Sequence, residues 1–315
     1  YTQSGTYSFN FSNTQINDFS MDFGGTDDVT VSSFPTNNQN ITISTWIKPN
    51  TYNWSGSGWK QLVDTWYANG EAPFRLSLAS GKIWFGHEEG GNSGNSFFVS
   101  HPFTSTDWNY ISGVREYSNG IYTYKLFING VLVNTNSTSN APNLSASQTL
   151  TLGNNPNPIF GEYYNGKMDN IIIWKKALSD QEINDYMTCA PNGNESDLIA
   201  FWNFEQPSQG YSNALGGVNM ALDASGPNCG QMVGGYTCYG NDNHGIINGA
   251  TYDTNTPSQS CGLTSINGCD STAILNLTIN SSVTKTDTIL LCDGENITIG
   301  NSIYTTSGTY IDTLS

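Results

Sequence analysis

Residues 108–134, WNYISGVREYSNGIYTYKLFINGVLVN, place two apolar segments on either side of the dipeptide Asn129-Gly130. The segment before the dipeptide, residues 122–128, alternates apolar with polar side chains, which is the pattern of a half-buried β-strand. Asn-Gly supplies the two positive φ angles of a type I′ turn, so the residues after it are predicted to return antiparallel to those before it. The stretch therefore predicts a hairpin, and a bent sheet is expected to curl around it.

Outward from this hairpin, short apolar segments alternate with turn residues in both directions. The predicted strands are residues 40–49, 61–66, 74–78, 82–86, 149–152 and 171–174. The last of these is apolar throughout, which is typical of a central strand covered on both faces. A helical pattern occurs at residues 179–187, where Ser179 is the expected N-cap and Glu182 occupies the capping-box position. The chain is therefore predicted to be all-β with one short helix.

The composition is that of a folded, aromatic-rich and acidic protein. Of 315 residues, 12% are aromatic and 11% are charged, and the formal net charge is −16. Nucleic acids and anionic membranes both bind to positively charged protein surfaces, so neither is an expected partner. Divalent cations are the expected charged partners. No run of about 18 apolar residues occurs, so membrane insertion is not expected. Six cysteines in a chain poor in lysine and arginine indicate an oxidising, extracellular compartment.

The two ends of the chain carry nearly the same sequence motif. Residues 1–7 are YTQSGTY and residues 304–310 are YTTSGTY, which differ at one position. Such an internal repeat predicts that the chain begins within one small β module and ends within the next copy. The first residues show no signal-peptide pattern, so the sequence is interpreted as an internal piece of a longer protein.

A succession of motifs resembles a known family. The motifs are MDFGGTDDVTV, NITISTWIKP, LSLASGKIWFG, WNYISGV, YKLFINGVLV, LTLGNN and NGKMDNIIIWKKALSDQEI. Together they cover about residues 19–187 and resemble, in order, the laminin-G-like, concanavalin A-like jelly-roll domains of secreted and surface bacterial proteins. The resemblance implies a concanavalin A-like jelly-roll sandwich.

One segment departs from the family's usual order. Members commonly begin with a segment like residues 198–252, which here follows the helix and contains LIAFWNF and NHGIINGATY. The resemblance therefore implies a circularly permuted jelly roll that this segment completes. The alternative is a second, truncated jelly roll, which would leave a large apolar face uncovered.

The C-terminal part resembles the immunoglobulin-like tandem repeats of long surface adhesins in gliding Bacteroidota, which are exported by type IX secretion. The motifs that carry this resemblance are GCDSTAILNLTIN and YTTSGTYIDTLS. It implies a repeat that begins at residues 1–11 and resumes at 259–282, a jelly roll inserted at 12–258, and the next repeat at 283–315. Insertion at an exposed loop tip is well tolerated. The implied location is the outer-membrane exterior, with the secretion and motility machinery as partners.

The inserted arrangement also implies a cysteine pairing. It gives the disulfides Cys189–Cys261 and Cys229–Cys238, and it leaves Cys269 and Cys292 without partners within this sequence. Spacing alone does not decide the pairing, because four cysteines allow three connectivities.

Three short triplets are candidate modification sites. They contain Ser271, Thr288 and Thr313, each preceded by aspartate. The triplets resemble those that Bacteroidota glycosylate on secreted proteins, although such short patterns also arise easily by chance.

Aspartates in turns are candidate calcium ligands. Asp27 and Asp28 lie in a glycine-rich turn, and Asp169 precedes an apolar strand. Calcium takes six to eight hard oxygen ligands at about 2.3 to 2.6 Å, which converging turns can supply. The family resemblance implies a structural calcium ion near Asp28 and Asp169, with Asp223 and Asn243 as further ligands. The alternative is that these residues are ordinary turn formers that bond their own backbone.

Aromatic loop residues are candidates for glycan contact, because exposed rings stack on the apolar faces of sugars while amides and carboxylates bind hydroxyl groups. The predicted ligand-binding residues are Tyr52, Trp54, Trp59, Trp66, Tyr67 and Glu71, with Asn69 beside them. The alternative is that some of these rings fold back over the sandwich. The tryptophans predicted to lie in strands and in the core are Trp46, Trp108, Trp174 and Trp202.

The sequence shows no catalytic constellation. Glycoside hydrolysis needs two carboxylates about 5 to 9 Å apart, and the nearest local pair is Glu88-Glu89, beside His87. Adjacent residues of a strand point to opposite faces, so this pair cannot line one cleft. His87, His101 and His244 are interpreted as polar surface residues, and no enzymatic activity is expected.

These observations predict a non-catalytic segment of a large cell-surface adhesin. Its jelly roll is expected to bind a glycan or a surface protein, with calcium as a stabilising ion. One alternative is a carbohydrate-binding module of a secreted polysaccharide-degrading enzyme. Another is a structural spacer that binds no ligand.

Overall fold

The chain divides into two compact units in the computed structural model. One unit is Gln15–Ser260, and the other combines Tyr1–Thr14 with Cys261–Ser315. The structure describes residues 17–51, 58–66, 70–90, 95–144, 147–205, 220–225, 230–232, 235–237, 243–259, 261, 288–290, 294–299, 302–306 and 308.

The regular secondary structure in the described part of the larger unit consists almost entirely of β-strands. They are β1 Ser20–Gly24, β2 Asp28–Pro35, β3 Ile41–Pro49, β4 Lys60–Asp64, β5 Ala72–Ala79, β6 Lys82–Glu88, β7 Phe97–Pro102, β8 Asn109–Ser118, β9 Ile121–Ile128, β10 Val131–Thr138, β11 Ser147–Leu152, β12 Asn165–Trp174, β13 Leu198–Trp202, β14 Met220–Ala221, β15 Gly230–Met232, β16 Gly235–Thr237, β17 Gly245–Asn248 and β18 Thr251–Asp253. The helical elements are a 3-10 turn at Pro158–Phe160 and the helix α1 at Asp180–Thr188. In the smaller unit, β19 Ile297–Ile299 pairs with β20 Ser302–Tyr304.

Two large antiparallel sheets form a sandwich. The first sheet has the order β10-β9-β8-β3-β12-β1-β18, and β13 pairs with β12 beside this path. The second sheet has the order β14-β17-β2-β11-β4-β5-β6-β7. This architecture is the predicted all-β jelly-roll sandwich.

The hairpin at β9 and β10 has the predicted turn and register. Asn129 and Gly130 have φ angles of 50° and 76°, and Val131 pairs with Ile128. Glycine at position 130 is also required by packing, since an added Cβ would lie 2.1 Å from the side chain of Asn184 in α1. The local turn residues therefore set the edge of the first sheet and let the helix approach it.

The main core lies between the two sheets, where apolar side chains of both inner faces interdigitate. Among its largest fully buried members are Met21, Phe23, Phe34, Phe74, Phe85, Trp202 and Phe204. Trp174 and Trp202 are buried as predicted. Trp46 and Trp108 were predicted to be core but are only partly buried, because Trp46 packs on the outer face of the first sheet and Trp108 precedes β8.

Helix α1 covers part of the outer face of the first sheet. Its buried residue Ile183 belongs to a second apolar cluster that includes Phe127 and Trp174. Ser179 is the N-cap and forms a capping box with Glu182, so the predicted helix and its predicted start are both confirmed.

Residues 198–253 supply strands to both sheets. β13 pairs with β12 and β18 pairs with β1 in the first sheet, while β17 pairs with β2 in the second. The segment that was predicted to be permuted therefore lies in the same sandwich and not in a second one.

Candidate functional site

The outer surface of the second sheet carries polar and aromatic side chains in two rows across β4 to β7. In one row Asp64 lies opposite Arg75, Arg75 opposite Gly86, and Gly86 opposite Phe98. Cross-strand partners share a face, and the alternate residues Leu76 and Phe85 face the core, so both rows point outward. This surface, the Arg75 face, consists of Gln61, Asp64, Arg75, Ser77, Trp84, Gly86, Phe98 and Ser100.

A bulge in β4 places two of its polar side chains on this face. The register with β5 shifts between Gln61 and Val63, so Gln61 lies opposite Ser77 while Asp64 lies opposite Arg75. Residues three positions apart would otherwise point to opposite faces. The bulge thus directs both Gln61 and Asp64 away from the core.

Arg75 is the centre of a charge cluster. Its side chain is only 4% exposed, with Nε 3.4 Å from Asp64 Oδ1 and Nη2 3.3 Å from Glu162 Oε2. Nη1 donates to Glu88 Oε2. Glu162 Oε2 also accepts from Gln61 Nε2 at 2.5 Å. These contacts tie the segment that precedes β12 to the outer surface of β4 and β5.

The carboxylates outnumber the cation in this cluster. Asp64 Oδ1 accepts from the backbone N of Trp66 at 3.0 Å, whereas Asp64 Oδ2 is buried and has no hydrogen-bond partner among the described residues. Burial raises the pKa of the Asp64 carboxyl to about 7, although Arg75 lowers it in part. With three carboxyl groups around one guanidinium, the cluster keeps a net negative charge at neutral pH.

Three partly exposed rings form an aromatic patch beside the charge cluster: Trp59, Trp84 and Phe98. The ring centroid of Trp59 lies 5.5 Å from that of Trp84 and 5.9 Å from that of Phe98. The Arg75 guanidinium lies 5.3 Å from the Trp59 centroid, which is cation–π distance. A Cβ on Gly86 would lie 2.6 Å from a Phe98 ring carbon, so glycine allows this ring to lie across β6. Rings beside carboxylates suit a ligand that has apolar faces and hydroxyl groups.

The predicted ligand-binding residues fall into three groups. Trp59 belongs to the aromatic patch. Trp66 is partly buried, with its ring 5.1 Å from that of Phe160, and the Glu71 carboxylate accepts from Asn143 Nδ2 at 2.6 Å. The remaining predicted residues, Tyr52, Trp54, Tyr67 and Asn69, lie outside the described residues.

Among the predicted calcium ligands, Asp27 bonds within its own turn, whereas Asp28 bonds to two side chains that are distant in sequence. Asp27 Oδ2 accepts from the Gly24 backbone N at 2.6 Å. Asp28 accepts from Asn248 Nδ2 at 2.7 Å and from Asn154 Nδ2 at 3.3 Å. Asn154 Oδ1 is buried without a hydrogen-bond partner. Asp28 therefore links β2 to the segments around Asn154 and Asn248, and Asn154 Oδ1 beside it is a buried oxygen available to a cation.

Asp223 and Asn243 contact each other within a cluster of hydrogen bonds to the backbone. Asp223 Oδ1 accepts from the backbone N of Phe201 and of Ser225, and Oδ2 accepts from the backbone N of Asn243 at 3.2 Å. Asn243 Nδ2 donates to the backbone O of Ile199 at 2.9 Å. These bonds hold the segments around residues 223 and 243 against β13.

Asp169 is the predicted ligand whose environment best fits a cation. It lies in β12 where the neighbouring strand changes from β1 to β13, next to Asn170 with a φ angle of 46°. Its Oδ2 is buried and has no hydrogen-bond partner. Burial raises the pKa of Asp169 well above its usual range, and the nearby Glu205 carboxylate adds to the rise. Within the described residues, no three acidic, histidine or cysteine side chains group together as a metal site.

The described cysteines are Cys189 and Cys261, and both are disulfide-bonded. This is the state that the predicted Cys189–Cys261 pair requires. Cys229 and Cys238 lie outside the described residues, as do Cys269 and Cys292. Of the predicted glycosylation sites, Thr288 is exposed, whereas Ser271 and Thr313 also lie outside the described residues.

The histidine prediction is wrong for His87. This side chain is fully buried, with Nδ1 2.5 Å from Tyr124 Oη and Nε2 3.0 Å from the backbone O of Asn95. His87 faces inward because it alternates with Glu88, which turns outward to Arg75. Burial lowers the pKa of His87 to about 4, so the ring is neutral at physiological pH.

A family model agrees with this architecture. The model of the concanavalin A-like lectin/glucanases superfamily matches residues 23–184, slightly more than half of the chain. The chain belongs to this superfamily.

Solved structures resemble this concanavalin A-like chain at low sequence identity. An SAP-like pentraxin from Limulus polyphemus shares 18% identity at a TM-score of 0.44, over 56% of this chain and 85% of the pentraxin. A candidate carbohydrate-binding protein from Bacteroides ovatus shares 12% identity at a TM-score of 0.49, over 78% of this chain and 60% of that protein. The binding domain of botulinum neurotoxin DC, solved in complex with SialylT, shares 16% identity at a TM-score of 0.44, over 61% of this chain and 47% of that domain. No curated protein sequence matches the chain.

Most of the Arg75 face of this concanavalin A-like domain was not predicted from the sequence. Trp84, Phe98 and the Arg75 cluster were missed, although residues 82–88 carry a readable signal. Their outward side chains alternate with Ile83, Phe85 and His87, and this alternation alone identifies Trp84 as an outward residue.

The described residues contain no helix long and apolar enough to cross a membrane.

Proposed function

We propose that the sandwich is a non-catalytic glycan-binding domain that uses the Arg75 face. The observation that supports this proposal is the aromatic patch, whose three rings are partly exposed beside hydrogen-bonding carboxylates on a concanavalin A-like sheet. Stacking on the rings supplies the apolar contact, and the Glu88 carboxylate, 34% exposed, supplies an acceptor for hydroxyl groups.

The contacts of the carboxylates support a binding role over a catalytic one. Hydrolysis of a glycosidic bond needs an acid and a second carboxylate on either side of the scissile bond. On the Arg75 face, Asp64 is fully buried, and Glu88 and Glu162 are both paired with Arg75. Asp64 is therefore out of reach of a ligand, and the pairing with Arg75 holds Glu88 and Glu162 in an arrangement that suits hydrogen bonding to a ligand.

Calcium is proposed as a stabilising ion of the same domain. The Asp169 carboxylate would hold it, because its buried Oδ2 lacks a partner, and Asp28 with Asn154 offers a second position. A bound calcium ion supplies charge neutralisation and cross-linking of the oxygen atoms around it. The readout is thermal unfolding in calcium and in chelator, with Asp169→Asn expected to remove a calcium-dependent rise in Tm. The same Tm in calcium and chelator for the unmodified protein would reject the ion.

The domain is further proposed to be displayed by a surface adhesin of gliding Bacteroidota, exported by type IX secretion and handled by the secretion and motility machinery. The grouping of Tyr1–Thr14 with Cys261–Ser315 supports an interrupted repeat, because the sandwich lies between these two segments in sequence. The near-identical motifs at residues 1–7 and 304–310 support the proposal that further repeats lie outside this chain. Extending the coding sequence in both directions tests this context: a catalytic domain beside the sandwich would favour an enzyme-linked module instead.

A glycan array followed by titration calorimetry tests the binding site. Trp84→Ala and Trp59→Ala should each weaken binding of any glycan hit by about tenfold or more, since central aromatic contacts dominate such interfaces. The matched control is Trp108→Phe, because Trp108 is a partly buried tryptophan that precedes β8 of the other sheet and donates to Asn255. Equal losses in the control and in the patch variants would place the binding site elsewhere.

A further inference from the structure

We infer that the Arg75 face selects uncharged glycans and rejects carboxylated and sulfated ones. This inference rests on the proposed glycan-binding function and adds the chemical class of the ligand. It follows from how the charges of the face are already paired.

Arg75 is the residue expected to bind an acidic sugar, but its guanidinium is buried among three carboxylates of the protein, and its Nε, 3.4 Å from Asp64 Oδ1, is buried without a hydrogen bond. Each part of its guanidinium faces a carboxylate of the protein, from Asp64, Glu88 and Glu162. One side of the guanidinium lies against the Trp59 ring. With 4% of its side chain exposed, Arg75 offers no accessible donor to the carboxylate or sulfate of an incoming sugar.

The charge that remains accessible on the face is negative. Glu88 is 34% exposed, and it belongs to a cluster in which three carboxyl groups surround one cation. Asp64 is fully buried, so it contributes its charge to the cluster and makes no contact with a ligand. Glu71 and Glu89 extend the acidic character beyond the end of β6; burial raises the pKa of Glu89, and the nearby Glu71 carboxylate adds to the rise.

One further cation approaches the aromatic patch within the described residues. Lys82 Nζ lies 5.6 Å from the Trp84 ring centroid, at the opposite end of β6 from Glu88. A single partly exposed lysine on a chain of net charge −16 does not outweigh the carboxylates around Arg75. The face therefore repels an anionic sugar that stacks on the patch.

The test uses pairs of glycans that differ in charge: neutral galactan against polygalacturonate, and agarose against sulfated carrageenan oligosaccharides. At low salt the neutral member of each pair should bind about tenfold or more tightly, because repulsion between unscreened charges of like sign opposes the acidic member. Raising NaCl from about 20 mM to about 500 mM should strengthen binding of the acidic member and leave the neutral one unchanged. This salt effect is opposite in sign to that of a protein that binds polyanions through cations.

Glu88→Gln tests the source of the selectivity. Removing this charge should raise the ratio of acidic to neutral affinity by about fivefold. The matched control is Glu116→Gln, since Glu116 is an exposed acid on the first sheet that pairs with Lys125, and it should leave the ratio unchanged. The salt titration of the unmodified protein decides the question if Glu88→Gln fails to fold.

The outcomes separate the two proposals. Binding of the neutral glycans alone, with the expected salt effect, supports the inference. Acidic glycans that bind as tightly as neutral ones, or more weakly as salt rises, overturn it and leave glycan binding standing. Absence of binding to either class overturns the proposed function together with the inference.

Discussion

Replacing Arg75 with leucine tests whether one cation holds the charge cluster together. The variant keeps an apolar side chain against Trp59 but leaves Asp64, which is fully buried, and Glu162, which is 13% exposed, without a counter-charge. Removing one partner of a buried pair costs about 3 to 5 kcal/mol, because the remaining charge stays in a poorly solvated site. Glu88 is 34% exposed, so solvent screens its charge and its contribution is small.

The expected result is a loss of unfolding free energy of about 1 to 3 kcal/mol near pH 7, less than the full penalty because Asp64, with a pKa of about 7, can bind a proton when Arg75 is absent. Such a loss lowers Tm by about 2 to 12 °C for a domain of this size. Asp64→Asn is the matched control. Burial raises the pKa of Asp64 to about 7, so close to half of the molecules already carry a neutral carboxyl group at neutral pH. The amide oxygen still accepts from the Trp66 backbone, and a cost below about 1 kcal/mol is expected.

Urea unfolding followed by tryptophan fluorescence measures both variants at about pH 7.5 and about pH 5. The penalty of Arg75→Leu should shrink at the lower pH, because a protonated Asp64 needs no counter-charge. Two results would refute the reasoning: an Arg75→Leu variant as stable as the unmodified protein at the higher pH, or an Asp64→Asn variant as unstable as Arg75→Leu.

Two further predictions concern buried polar groups outside the Arg75 face. Burial lowers the pKa of His87 from 6.5 to about 4. The stability that the buried neutral ring contributes is therefore complete above about pH 6.5 and is lost as the pH falls through about 4. The free energy of unfolding should fall by about 3 kcal/mol over this range. Comparing urea unfolding of His87→Gln and the unmodified protein across this range should show a flatter pH profile for the variant, and identical profiles would contradict the assignment. Asp223→Ala should lower the free energy of unfolding by about 3 kcal/mol, because it leaves buried backbone donors unpaired. The control Asp27→Ala should lower it by less than about 1 kcal/mol, because the bonds of Asp27 are exposed. Equal losses in thermal unfolding would show that the hydrogen bonds of Asp223 do not stabilise the fold.

The features that could be predicted from the sequence are those with local causes. The turn at Asn129-Gly130 depends on the φ preferences of two residues, and the start of α1 depends on Ser179 and Glu182 within one helical turn. The apolar run at residues 171–174 predicted a central strand, and β12 pairs with neighbours on both sides there. Each of these signals lies within a few adjacent residues, so no tertiary contact is needed to interpret it.

The candidate site needed information that local patterns do not contain. Trp59 was predicted to contact ligand from its loop composition, but its neighbours Trp84 and Phe98 come from strands that are distant in sequence. Their meeting depends on the register of β5, β6 and β7, which pairing across the whole sheet decides. The error at His87 has the same origin, since a histidine at a strand end is buried or exposed according to the face that the register gives it.

The sequence by itself determined the all-β class, the main hairpin and the helix with its cap, because these follow from side-chain periodicity and from φ preferences of single residues. It also indicated the superfamily, through the resemblance of its ordered motifs to those of that family. The tertiary structure alone decided that Asp64, Arg75, Glu88 and Glu162 meet on one outward face. The bulge between Gln61 and Val63 turns Asp64 toward Arg75, and the segment before β12 brings Glu162 over the sheet. Such a meeting of distant charges depends on the summed packing of the two sheets, and no short stretch of the chain encodes it.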